Sequence, residues 1–102
     1  DKMIQELWDY TQNDPFYKDN TYMFITTDHG RGDGDVTSSM WTSHGSGVNG
    51  CEYTWLAVLG PEIKKTGLEK GEYYVNQIAP TIAKLTGISL GNNLAGKPIE
   101  LK

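Results

Sequence analysis

A mixed α/β fold, with helices layered on a short sheet, is what the sequence predicts. Two observations carry that prediction. Apolar residues recur at helical spacing in two separate stretches, and two short runs of β-branched and aromatic residues lie between them. A third observation bears on function. The longest polar stretch, Asp28 to Gly50, is rich in glycine and contains both histidines of the chain.

In residues 2 to 13, Met3, Ile4, Leu7, Trp8 and Thr11 fall on one helical face. Asn13, Asp14 and Pro15 should end this helix, because proline cannot continue it and biases the preceding residue toward extended geometry. Thr21 to Thr27 (TYMFITT) reads as a buried strand. A helix feeding such a strand suggests an α/β layer with a parallel sheet. Thr54 to Leu59 (TWLAVL) reads as a second strand, stopped by Gly60 and Pro61. Val75, Ile78, Ala79, Ile82, Ala83 and Thr86 then follow the spacing of a helix packed on one face. Pro80 falls in or near its first turn, and Gly87 suits the position just past its end. The tail from Ile88 onward looks irregular.

With 102 residues the chain fits one small domain and leaves little room for a complete catalytic apparatus. The formal net charge of -4 does not suit a nucleic-acid partner, which calls for a basic patch. Lys64, Lys65 and Lys70 are interspersed with Glu62, Glu69 and Glu72, as in a solvated loop. Cys51 is the only cysteine, so no internal disulfide is possible. No stretch approaches the roughly 20 apolar residues of a membrane span. The chain opens directly on the amphipathic pattern without a signal peptide, so it is expected either to be cytoplasmic or to have its natural start far upstream, and Asp1 in place of Met favours a fragment.

Asp28 and His29 follow the first strand directly, where ligands bind in open α/β sheets. One carboxylate and one imidazole suit zinc or manganese, and Gly30 permits a sharp turn behind them. His44, beside Gly45, lies in the same loop. A lone histidine in such a loop is commonly just solvent-exposed. Arg31-Gly32-Asp33 matches an adhesion tripeptide, which loop composition explains as well. Asp33 and Asp35 lack the remaining pattern of a calcium loop.

The run TYMFITTDHGRGDGD, His44 after it, then EYTWLAVLGPEI and YVNQIAPTIAKLTGI together resemble the C-terminal half of the alkaline phosphatase superfamily. That superfamily includes alkaline phosphatases, nucleotide pyrophosphatase/phosphodiesterases, cofactor-independent phosphoglycerate mutases and sulfatases. The resemblance spans about Leu7 to Ile88. It implies an alkaline-phosphatase-like three-layer sandwich, of which residues 1–102 form a C-terminal portion with a few strands and flanking helices. It implies two divalent ions, zinc or else manganese, with Asp28 and His29 sharing one and His44 binding its neighbour. The substrate class implied is a small-molecule phosphate ester, monoester or diester, and Arg31 is a candidate contact to a phosphate oxygen. Sulfatases are the near competitor. They resemble Asp-Asn-Gly at this point and use a single calcium, whereas imidazole at His29 favours zinc or manganese.

The family also needs a Ser or Thr nucleophile and further ligands upstream of the first strand. The hydroxyls of Thr37, Ser38, Ser39, Ser43 and Ser46 do not stand at the family position, so no catalytic nucleophile is expected within this chain. The parent function expected is metal-dependent hydrolysis of a phosphate ester, with the isolated chain inactive and either self-associating or paired with a missing N-terminal portion. A non-catalytic metal-binding or interaction module is the alternative from another class.

Overall fold

The computed structural model describes residues 1–33, 42–64, 67–91 and 95–102. These divide into two compact units, Asp1–Pro61 and Glu62–Lys102.

The first unit opens with helix α1, Lys2–Asn13. Asp14 ends it with extended backbone (φ -89, ψ 125), the geometry that Pro15 imposes on its neighbour. The Asp14 carboxylate then accepts the Phe16 amide at 2.8 Å, closing a local turn. On α1 the face carrying Trp8 and Thr11 is covered, and Thr11 Oγ1 donates to Trp8 O at 2.7 Å. Met3 and Leu7 remain exposed.

Strand β1 is Met23–Thr26 and strand β2 is Leu56–Leu59. They pair antiparallel, Met23 opposite Leu59 and Thr26 opposite Leu56. This corrects the parallel sheet expected from the sequence. No helix is described between β1 and β2, and a parallel pair needs a crossover of that kind. Among the described residues the sheet has two strands, and the fold class is mixed α/β. Thr26 Oγ1 donates to Trp55 O at 2.7 Å and locks the end of the ladder from which the histidine loop departs.

In the second unit a short 3-10 turn, Val75–Gln77, leads into helix α2, Ile78–Thr86. Pro80 is its third residue, where a missing N–H is harmless. Gly87 takes the left-handed conformation (φ 71), and Ile88 N donates back to Ala83 O at 3.0 Å. Pro80, Thr81 and Ala83 are buried. The irregular tail is strapped to this unit. Ile99 N donates to Thr81 Oγ1 at 2.8 Å, Gln77 Nε2 to Lys97 O at 3.0 Å and Lys64 N to Leu101 O at 3.0 Å. No helix of the described residues is long and apolar enough to cross a membrane.

Candidate metal-binding site

Past the ends of β1 and β2 the two chain segments stay close together. Gly30 N donates to Cys51 O (2.8 Å), Gly32 N to Ser43 O (3.1 Å) and Asp33 N to Asn49 O (3.0 Å). On the return arm, consecutive turns run from Gly45 to Tyr53, with Val48 N on Gly45 O and Cys51 N on Val48 O. The described parts of the glycine-rich loop are therefore held by their own backbone. Gly34 to Trp41, including Thr37, Ser38, Ser39 and Asp35, lie outside the described residues.

This pairing brings the sequence-predicted donors together. The rings of His29 and His44 are stacked, with centroids 4.3 Å apart and planes 2° from parallel. Asp28 Oδ1 accepts the His29 amide at 2.9 Å and stands 3.6 Å from His29 Nε2. His29 Nδ1 lies 2.6 Å from Gly30 O. A carbonyl can only accept, so Nδ1 carries a proton, and in the neutral imidazole the lone pair is then on Nε2. A metal-ligating histidine characteristically donates its second ring N–H to a backbone carbonyl in this way.

The spacing of the Asp28–His29 pair matches that of two donors on one ion. Two donors on one tetrahedral zinc stand about 3.4 Å apart, given metal–ligand distances of about 2.0–2.2 Å. The 3.6 Å between Asp28 Oδ1 and His29 Nε2 is near that edge and too long for a direct hydrogen bond. The Asp28 side chain is 88% exposed, so its second oxygen is open to a ligand. Among the described residues no three His, Cys, Asp or Glu side chains converge on one point. The arrangement is two donors facing each other with a third imidazole beside them.

The stacked rings wall a cavity of about 400 Å³ together with Gly45, Ser46, Gly47, Val48, Cys51 and Glu52. Cys51 and Glu52 were not among the candidates read from the sequence. A single cysteine carries no pairing signal, and only its place directly after Gly50 in the returning arm brings it here. The Cys51 thiol is half-buried, 3.7 Å from Ser43 O. Arg31 is exposed, and its carbonyl packs against Gly50. A larger depression of about 640 Å³ is lined by Pro15, Phe16, Tyr17, Asn20, Thr21 and Tyr22, ahead of β1. It offers no carboxylate, imidazole or thiol, so the smaller cavity is the chemically equipped one. Comparison with protein-family models, curated proteins and solved structures gave no match.

Proposed function

We propose that this chain forms part of a metal-dependent phosphoric ester hydrolase of the alkaline phosphatase superfamily, with the three-layer sandwich of that group. The observation that carries the reading is the stacked His29–His44 pair, with Asp28 beside it. Hydrolases that clamp a phosphoryl group between two ions hold them about 3.5–4 Å apart. Donors to two such neighbouring ions can stand side by side, as two imidazoles with centroids 4.3 Å apart do.

On this reading Asp28 and His29 hold one ion and His44 binds its neighbour. Zinc is the first choice for this donor set and manganese the second. Bound there, the ion pair would supply acidification of an attacking hydroxyl and charge compensation at the leaving oxygen. The chain's own part is to hold the donors. Asp28 contributes negative charge, and Gly30 O fixes the tautomer that leaves His29 Nε2 free. Arg31 is exposed nearby in sequence, where it serves as a candidate contact to a phosphate oxygen. On the resemblance, the nucleophile and the remaining donors stand upstream of the first strand, and a catalytic zinc takes about three protein ligands.

Two measurements test this. In the complete protein, His29→Ala and His44→Ala should each lower metal content and abolish most phosphoesterase activity; unchanged stoichiometry by elemental analysis would sink the assignment. The 102-residue chain alone should not turn over nitrophenyl phosphate mono- or diesters with zinc or manganese added. Turnover that depends on His44 would mean that the active site is complete within this chain.

A further inference from the structure

Gly30 and Gly50 form the closest approach between the two arms of the histidine loop. Gly30 N donates to Cys51 O at 2.8 Å, and a Cβ at Gly30 would sit inside the van der Waals envelope of the Gly50 and Tyr53 carbonyl oxygens. Gly50 is buried with φ 94, and a Cβ there would collide with Arg31 O and crowd Asp33 N. Two independent restrictions meet at Gly50. Its backbone is left-handed, which L side chains rarely adopt, and it has no room for a side chain.

The carbonyl of Gly30 is also the acceptor for His29 Nδ1. One peptide segment therefore takes its position from the opposite arm and passes it to the imidazole. Cys51 O holds Gly30 N, and Gly30 O holds the His29 ring. On the returning arm, His44 follows Ser43, whose carbonyl accepts Gly32 N at 3.1 Å.

We propose that Gly30 and Gly50 are positioning residues for the metal donors: their backbone clasp fixes the His29–His44 stack before any ion arrives. The relevance to catalysis rests on the hydrolase reading above; the clasp itself does not. Metal-free order of this kind removes part of the entropy that ion binding would otherwise spend on gathering the loop.

The test uses the metal-free 102-residue chain with Gly30→Ala, Gly50→Ala and Gly87→Ala. Gly87 is left-handed at φ 71 with open space where a Cβ would go, so its variant carries backbone strain without a clash. Nuclear Overhauser contacts between the His29 and His44 ring protons report the stack, and zinc titration of the same samples reports affinity. Wild type and Gly87→Ala should show the ring contact without metal. Both clasp variants should lose it and bind zinc about 10- to 100-fold more weakly, the usual effect of removing a group that orients a ligand. A ring contact that survives in either clasp variant overturns the proposal. So does its absence from the metal-free wild type, a measurement that needs no variant to fold. If the ring contacts behave as expected but metal content of the complete protein is unchanged in His29→Ala and His44→Ala, the clasp stands and the hydrolase reading falls.

Discussion

The histidine loop of the first unit and the tail of the second are held by different means. Across the histidine loop the close contacts are backbone on backbone, around Gly30 and Gly50, and no apolar side chain of Asp1–Pro61 among the described residues is buried. In Glu62–Lys102 side chains anchor the tail, with backbone bonds beside them. Thr81, 1% exposed, donates to Gln77 O at 2.6 Å and accepts Ile99 N. The first unit gains precise placement of two imidazoles while leaving Met3, Leu7, Tyr10, Phe16 and Trp55 exposed. The second gains an anchored tail. Close backbone approach positions ligands, but it hides little apolar area, so it adds little to hydrophobic stability.

The largest expected effect follows from that uncovered surface. Exposed apolar side chains that form a contiguous patch promote association. The chain should self-associate or bind a complementary portion, with sedimentation showing mass that rises with concentration. A clean monomer with one sharp unfolding transition would break the contrast between the units.

Next in size is Thr81→Val. The change keeps the shape but strips both hydrogen bonds and leaves the Ile99 amide without its acceptor. Losing a partner in a part-buried bond costs about 1–3 kcal/mol. The Ile99 amide should lose its hydrogen-exchange protection, and the urea midpoint should fall. Unchanged protection would mean that the tail is held mainly by its other contacts.

Gly60→Ala sharpens the comparison from the first unit. The Tyr22 ring lies over Gly60, so a methyl there must push it aside. The clash meets the ring close to its Cβ, so about 1–3 kcal/mol, the usual cost of overpacking, is expected. A tyrosine fluorescence change with a shift in the unfolding midpoint would show it.

Much of this was legible in the sequence, for reasons that differ by element. Helix α1 matches the expected residues 2 to 13 because Asp14-Pro15 is an unambiguous stop. Gly87 fits its expected place because few other residues accept a left-handed turn. Strands β1 and β2 lie inside the apolar runs that announced them, but their direction did not show. Direction depends on how the intervening loop folds back, and hydrophobic pattern is blind to that. Asp28 and His29 just past a strand end, and His44 in the loop, were legible as candidate donor types. Their stacking was not, because it depends on Gly30 and Gly50 touching across twenty positions of sequence. Cys51 and Glu52 join the cavity through the same contact.

The smallest expected effect concerns pH and the tail. Lys102 Nζ donates to Glu62 Oε2 at 2.7 Å, and this hydrogen bond, with the attraction of the ammonium, lowers the Glu62 pKa from its ordinary value of 4.5. A carboxyl depressed by folding stabilises the fold at pH values above its unfolded pKa. That contribution fades as pH falls through the lower, folded value. Glu62→Gln should therefore speed exchange of the Lys64 amide, which donates to Leu101 O beside this pair, at pH above about 4.5. Well below that pH the variant and wild type should converge, because the wild-type carboxyl is then neutral too. The Glu62 side chain is 75% exposed, so the difference should be slight. In about 1 M salt, where the screening length is about 3 Å, it should shrink further. Tyr74 gives the mirror case in the same unit. Its phenol donates to the Glu72 carboxylate, which raises its pKa from 10.0. That contribution is complete below the unfolded value and is lost as pH rises through the folded one. Glu62→Gln should leave the alkaline limb untouched and Glu72→Gln the acid limb. A variant that moved both limbs would show that the two ends of this unit unfold as one.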